Sequence, residues 1–457
     1  MTPNKSLQLS HNIENIIRNH DLEYVYNYLP LDYINEIAQK YKQRNRVFTL
    51  ETTLMTMMLT AAQDNKALSN SVSIYNTLHK KNQRDLEARK KAEEAKEAGK
   101  KKRGRPRKQF IEAAKSQQQS ISLNTSAYSQ ARTRLPVEIT KECYQRTAIA
   151  PVGQSNLQWH KMPVFIVDGT YFNMSDSPEL RKKYGIRQDY TTTPPYPQGL
   201  LTVMIHQGSG KIVTYRKTSR STSELTSFYQ MIDEIPKGSI VLADALYNTY
   251  ATFSKLIEQG IHLLTKGQAD RKYKVIKNIG KGDDIVEIEQ SARPKWLPKE
   301  AKLPERLQLR RIEVESLEEE EKTTVYYTTL IDYEEYSQAS IATKFTSRWD
   351  IEISIREVKI LMEMEFLRGK TETMIEKEIN VSLAMYNIIR EIIAKSAEKG
   401  AFSPEEVIFQ TMLKSNQTIL VDKKGRVYSR WSPGRYGNVT PGINELAIAE
   451  TTGGEKF

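Results

Sequence analysis

Phe345-Thr346-Ser347-Arg348-Trp349-Asp350-Ile351-Glu352, continued through Lys359, carries two stripes of different character if it is helical. In a helix, residues three, four, seven and eleven apart share a face. Phe345, Arg348, Glu352 and Lys359 then form one stripe. Ile351, Ile355, Val358 and Met362 form a second, apolar stripe about a quarter turn away. Asp350 points roughly opposite to Glu352, and Glu357 well off its face. The spacing predicts a helix over 337–364 that packs one side on a core and offers one carboxylate flanked by two cations. A carboxylate holds a metal ion and cations hold a polyanion, so this combination suits a site that handles phosphates.

Pro163-Val164-Phe165-Ile166-Val167 is a short apolar run ending at Asp168-Gly169, and Ser239-Ile240-Val241-Leu242-Ala243 is another, ending at Asp244. Buried strands of a mixed sheet look like this. Leu200 to Ile205 and Lys211 to Arg216 bracket Gln207-Gly208-Ser209-Gly210, a hairpin signal. Thr249 to Glu258 and Val381 to Lys395 read as helices, and Ile261 to Leu264 and Thr323 to Leu330 as strands. Residues 266–322 are polar, charged and poorly periodic, with Trp296 between prolines. The fold class is therefore α/β.

Ligands gather at strand ends in open sheets. Either aspartate alone is as readily a turn former or a helix cap, and Asp244 could cap the helix after it. Joined by Glu352, the two make a set of three carboxylates, which can bind two divalent ions about 3.5 to 4 Å apart. Mg²⁺ suits oxygen ligands that leave several waters in place.

At this point the chain resembles a known family. Phe345-x2-Arg348-x3-Glu352-x6-Lys359 is similar to the Tyr-Arg-Glu-Lys signature of the insertion-sequence-four group of bacterial transposases. Val167-Asp168-Gly169-Thr170 resembles that group's first catalytic aspartate, and Leu242-Ala243-Asp244 with Tyr247 its second. Tyr128-x2-Ala131-Arg132-x-Arg134-Leu135-Pro136 resembles the segment before its catalytic domain. The likeness runs from about Arg46 to Asn387. It implies an RNase H-like core with an Asp-Asp-Glu triad, here Asp168, Asp244 and Glu352, that holds Mg²⁺ in a two-metal site, with Mn²⁺ as a substitute. It implies a β-rich insertion before the glutamate, and phosphate contacts from Arg348 and Lys359. Trp296 is the candidate to stack on a flipped base, the alternative being that its prolines pack it structurally. Two positions depart from the pattern. Phe345 replaces tyrosine, which removes a hydroxyl and leaves packing or base contact. Ala245 stands where many relatives carry arginine.

Composition agrees with a polyanion partner. The 457 residues carry a formal net charge of +12, with a pI of about 9.3. Much of that excess lies between His79 and Lys108, where fourteen Lys/Arg face five Asp/Glu, a net of +9. Within it, Arg103-Gly104-Arg105-Pro106-Arg107 contains an AT-hook core. Gly and Pro keep the backbone extended, and arginines suit the minor groove of A·T-rich DNA. The other reading is a solvated basic linker that binds phosphates without sequence preference. Tyr428, Trp431 and Tyr436, set among Arg426, Arg430 and Arg435, suit nucleic-acid contact or subunit association.

Cys143 is the only cysteine, which excludes an internal disulfide framework and a multi-cysteine zinc site. Six scattered histidines do not make a metal cluster, and His206 and His262 read as packed strand residues. Neither a long uncharged apolar run nor a signal peptide is evident, so a cytoplasmic, nucleoid-associated location with no membrane partner is expected.

The division expected is a helical N-terminal DNA-binding region at 1–78, the basic segment at 79–116 and a linker with helical lead-in at 117–160. The RNase H-like core comes next at 161–265, then the insertion at 266–330, the core's catalytic helix at 331–400 and a C-terminal segment at 401–457. The function expected is cut-and-paste transposition on double-stranded DNA, both transposon ends and target. A hairpin intermediate and a homodimer acting in trans are implied by the resemblance. The alternatives are a nuclease of the same fold that does not join strands, and a non-catalytic DNA-binding descendant.

Overall fold

The structure is a computed structural model. It describes residues 22–42, 48–61, 67–73, 75–76, 125–151, 153–154, 157–186, 196–267, 271–290, 293–315, 323–362, 364–400, 419–421 and 427–429. The AT-hook-like stretch Arg103 to Arg107 lies outside the described residues, as do Trp431 and Tyr436.

Helices come first: α1 (Leu22–Tyr28), α2 (Leu31–Lys40), α3 (Leu50–Ala61), α4 (Thr125–Arg134) and α5 (Val137–Thr147). In α3 every residue but Glu51 is buried, so the helix is enclosed on all sides. Its threonines tolerate that burial because Thr53, Thr56 and Thr60 each donate to the carbonyl four residues back, at 2.7 Å.

A mixed sheet comes after them, built from β1 (Gln158–Trp159), β2 (Met162–Met174), β3 (Gln198–His206), β4 (Lys211–Ser219), β5 (Ile240–Ala243), β6 (His262–Lys266), β7 (Lys274–Gly280), β8 (Asp283–Glu289), β9 (Arg306–Glu315), β10 (Thr323–Thr328) and β11 (Phe366–Leu367). Its order is β4-β3-β2-β5-β6-β10-β9-β8-β7, with β1 and β11 also on β2. β2, β3 and β4 are antiparallel, whereas β5 and β6 run parallel to β2. Gly210, at φ +66°, closes the β3–β4 turn where the sequence placed a hairpin.

Alternation along the central strands separates two cores. Val164, Ile166, Ile240 and Leu242 face one side, where the N-terminal helices pack. Phe165, Val167, Val241 and Ala243 face the other, against α7 (Glu224–Tyr229) and α8 (Tyr250–Glu258); α6 (Pro178–Tyr184) lies between β2 and β3 in sequence. The chain continues through α9 (Gln338–Thr346) and α10 (Trp349–Arg356) to α11 (Glu372–Gly400), which packs on α3, α5 and β4. A short hairpin, β12 (Ile419–Val421) with β13 (Val427–Ser429), comes last. Among the described residues no helix is long and apolar enough to cross a membrane.

Two local readings need correction, on Asp168 and on the helix over 337–364, and the stretch within 266–322 gains its strands. Asp168 is not at a strand end, because β2 runs on to Met174, paired throughout with β3. The polar stretch within 266–322 contains β7, β8 and β9, which with β10 form an antiparallel meander; β7 is exposed on both faces and so shows no alternation. The single helix expected over 337–364 is broken. The Thr346 and Ser347 hydroxyls bond the carbonyls of Thr343 and Lys344, and the Ser347 and Arg348 N–H groups tighten to the third residue back. Beyond α10 the backbone widens into a π-helix, Glu357–Leu361, in which Met362 N–H reaches the Glu357 carbonyl.

Candidate functional site

β2 is paired on one edge by β5 only through Ile166 and by β11 only from Phe366, opposite Asn173. Between these points no strand among the described residues pairs with that edge, and the gap carries Asp168, Gly169 and Thr170. These three line a cleft of about 330 Å³ with Glu352, Ile355, Arg356, Lys359 and Glu365. Despite the helix break, Glu352 and Lys359 thus share one opening.

Asp168 is half-buried, and its Oδ1 accepts the Gly169 N–H at 2.8 Å. Burial, aided by the negative charges of Asp244 and Glu352, pushes its carboxyl from 3.8 to about 6, although the Gly169 N–H and Arg348 pull the other way. Asp244 comes directly after β5 and caps the 3₁₀ turn Ala245–Tyr247 by accepting the Leu246 N–H at 2.8 Å. Asp244 thus takes the capping alternative. It acts on Asp168 through charge without lining the cleft.

Glu352 is held by Arg348, whose Nη2 donates at 3.0 Å along one helical turn. Arg348 also lies over the Phe345 ring at 5.9 Å, and its Nε is buried without a hydrogen-bond partner. Phe345 is packed, in keeping with the packing alternative: it is 8% exposed and its ring centre is 4.7 Å from that of Tyr326. Trp296 is partly buried, packed against the core beside Tyr229 at 5.8 Å, in keeping with the structural reading of its prolines. His206 is buried as expected and hydrogen-bonds Ser209.

Two residues escaped the sequence reading. Arg356 stands one turn after Glu352, a spacing that was visible. Glu224, the first residue of α7, had no signal at all: it accepts the Tyr247 hydroxyl, and burial together with Asp168 and Asp244 pushes it from 4.5 to about 7.

Carboxylate oxygens are the donors that a hard divalent cation takes, and Asp168 and Glu352 offer them in one cleft. Among the described residues no three His, Cys, Asp or Glu side chains stand close enough to hold an ion, and Glu352 is engaged by Arg348.

The raised Asp168 value fixes a sign. An acid whose folded value lies above its unfolded value costs the fold stability once ionised, so this cost grows as pH climbs from about 4 through about 6. Asp168→Asn, which keeps the Gly169 bond, is expected to stabilise the cation-free protein at pH 8 by about 2 kcal/mol, allowing for solvent in the cleft. Thermal melts in EDTA at pH 4 and pH 8 check this. A variant that melts below wild type at pH 8 contradicts it.

The Transposase DDE domain family model matches residues 159–388. The chain is 25% identical over 320 residues to transposase InsG of insertion sequence element IS4 from Escherichia coli (strain K12), covering 68% of this chain and 69% of that protein. It is 28% identical over 182 residues to InsZ of the same strain, described as a transposase, covering 39% of this chain and 58% of that one. A solved piggyBac transposase synaptic complex with hairpin DNA aligns over 55% of this chain and 50% of that one, at 7% identity and a TM-score of 0.33, too low to bear on the fold. By the match over half its length the chain belongs to the DDE transposase domain family, within the IS4 group.

Proposed function

We propose that the protein excises and inserts a DNA element by cut and paste, with Asp168, Asp244 and Glu352 as its catalytic carboxylates. The observation that carries this reading is the cleft itself. It brings Asp168 and Glu352, far apart in the chain, together with Arg356 and Lys359 at a gap in the sheet edge. The strand order β4-β3-β2-β5-β6, with three antiparallel strands and then two parallel ones, supports an RNase H-like core, and the meander β7–β10 supports the insertion.

The three carboxylates would hold Mg²⁺, or Mn²⁺ in its place, in a two-ion site. When bound, the cation supplies Lewis-acid charge to the phosphate and eases ionisation of the attacking oxygen. Arg348, Arg356 and Lys359 hold the DNA phosphates beside Glu352. Water opens the phosphodiester at the element's end. The freed 3′-hydroxyl attacks the opposite strand to close a hairpin, and after the hairpin reopens it attacks target DNA. The N-terminal helices bind the terminal repeats, Arg103 to Arg107 add minor-groove affinity, and a homodimer synapses the ends.

The test uses linear DNA carrying the element's own ends. Cutting at those ends with Mg²⁺ and none in EDTA is the expected outcome, and pre-cleaved ends should join to plasmid. Cutting without joining leaves a nuclease. Specific binding with no cutting in either condition leaves a DNA-binding protein and overturns the proposal.

A further inference from the structure

Glu224 sits where two separate segments meet, and it touches both. One is strand β2: a Cβ built on Gly169 would lie 2.4 Å from Glu224 Oε2, so only a glycine lets the carboxylate rest against the backbone beside Asp168. The other is the turn after β5. Tyr247, the last residue of the turn that Asp244 caps, donates its hydroxyl to Glu224 Oε1. The Tyr247 ring is fully buried and meets Phe228 of α7 edge-on at 5.1 Å, so the tyrosine cannot swing away from the helix that bears Glu224. Asp168 and Asp244 lie on adjacent parallel strands, but β2 and β5 pair only at Val164–Ile166 with Ile240–Leu242. Past Leu242 no strand hydrogen bond fixes the distance between the two aspartates.

We propose that Glu224 is a positioning residue that spans this gap, bracing the Asp168 strand against the Asp244 turn through Gly169 and Tyr247, so that the spacing of the two aspartates is held before a divalent cation binds. The inference rests on the Asp168–Asp244 assignment proposed above. Glu224 acts on the aspartates through the backbone and Tyr247. What it must supply is an acceptor oxygen of the right reach, and glutamine supplies that as well as glutamate.

The experiment is Mn²⁺ binding to the full chain without DNA, followed by electron paramagnetic resonance, for wild type, Glu224→Ala, Glu224→Gln and Tyr247→Phe. Each is paired with a thermal melt in EDTA and with the Mn²⁺ concentration that half-saturates end cleavage. Glu224→Ala and Tyr247→Phe should weaken Mn²⁺ binding by about 10- to 100-fold, the usual effect of losing an outer partner of a metal ligand. Glu224→Gln should stay within about threefold of wild type, a margin of RT-scale size. Unchanged Mn²⁺ affinity in both Glu224→Ala and Tyr247→Phe overturns the proposal. So does a glutamine variant as weak as alanine, because the charge and not the brace would then matter. If Glu224→Ala does not fold, Tyr247→Phe, which removes one hydroxyl, decides by itself. Failure of wild type to bind Mn²⁺ counts against the carboxylate assignment, whereas equal binding by wild type and variants counts against the brace.

Discussion

Glu352→Gln is expected to abolish end cleavage while leaving the fold and DNA binding in place. Glutamine matches the shape of glutamate and can still accept from Arg348 through its amide oxygen. What it loses is the negative charge that would hold a cation in the cleft. Lewis-acid stabilisation is worth several kcal/mol of transition-state energy. At 1.36 kcal/mol per tenfold, a loss of about 4 kcal/mol lowers the rate about a thousandfold. Stability should barely move. The Glu352 side chain is 44% exposed and its ion pair with Arg348, just before α10, spans four residues, a pairing worth about 0.5 kcal/mol. End binding in EDTA should hold or tighten slightly, because a negative charge has left the surface proposed to meet phosphates. Single-turnover cleavage in Mg²⁺, with gel-shift binding in EDTA, separates the two effects. Cleavage within about tenfold of wild type would show that the glutamate is not a cation ligand.

The second large effect lies away from the cleft. Arg310 on β9 and Asp283 on β8 form a two-pronged ion pair, with side chains only 1% and 6% exposed, and Arg310 also donates to the Tyr336 carbonyl. Asp283→Ala leaves a guanidinium buried without its counter-charge, which costs about 3–5 kcal/mol. Tyr336 lies just before α9, so this pair ties the meander to the segment that leads into Glu352. Loss of thermal stability should therefore come with a weaker grip on α9 and α10, read as faster amide exchange there. The double change Asp283→Leu with Arg310→Met removes both charges and should recover most of the stability, since apolar replacement of a buried pair is often neutral. If the single variant loses less than about 1 kcal/mol, solvent reaches the pair and the argument from burial is wrong.

The sequence carried the elements whose own residues decide their form. Val164 to Val167 and Ile240 to Ala243 are apolar on both faces because both faces are covered, and such runs can be read without neighbours. Glu352 was legible because Arg348, Ile351 and Ile355 place it on a helix face. Glu224 was not, because nothing local distinguishes it from any acid at the start of a short helix; its position over Gly169 is made by packing between segments distant in the chain. β7 was hidden because Lys274, Val275, Ile276 and Lys277 are all exposed, so no face selects apolar residues. The break at Ser347 was missed because it depends on hydroxyls that favour the backbone of the preceding turn over continuation of the helix, a contest between terms of similar size. Asp168 was expected at a strand end and lies within the strand: the apolar run ends at Val167, but pairing with β3 carries the strand on.

The long helix α11 gives the molecule an order in time. Its inner face joins a core that begins at Val25 and ends at Ile392, and Lys377 Nζ caps the end of α4 by donating to the Arg132 and Thr133 carbonyls, each at 3.0 Å. A ribosome that has synthesised the chain as far as Glu352 has already made all three carboxylates, yet the helix that closes the core does not exist. The N-terminal helices must wait with their apolar faces uncovered, because the contacts that bury them are among the most distant in sequence. A product terminated early should therefore be a target for chaperones and proteases rather than a partly folded protein of useful lifetime.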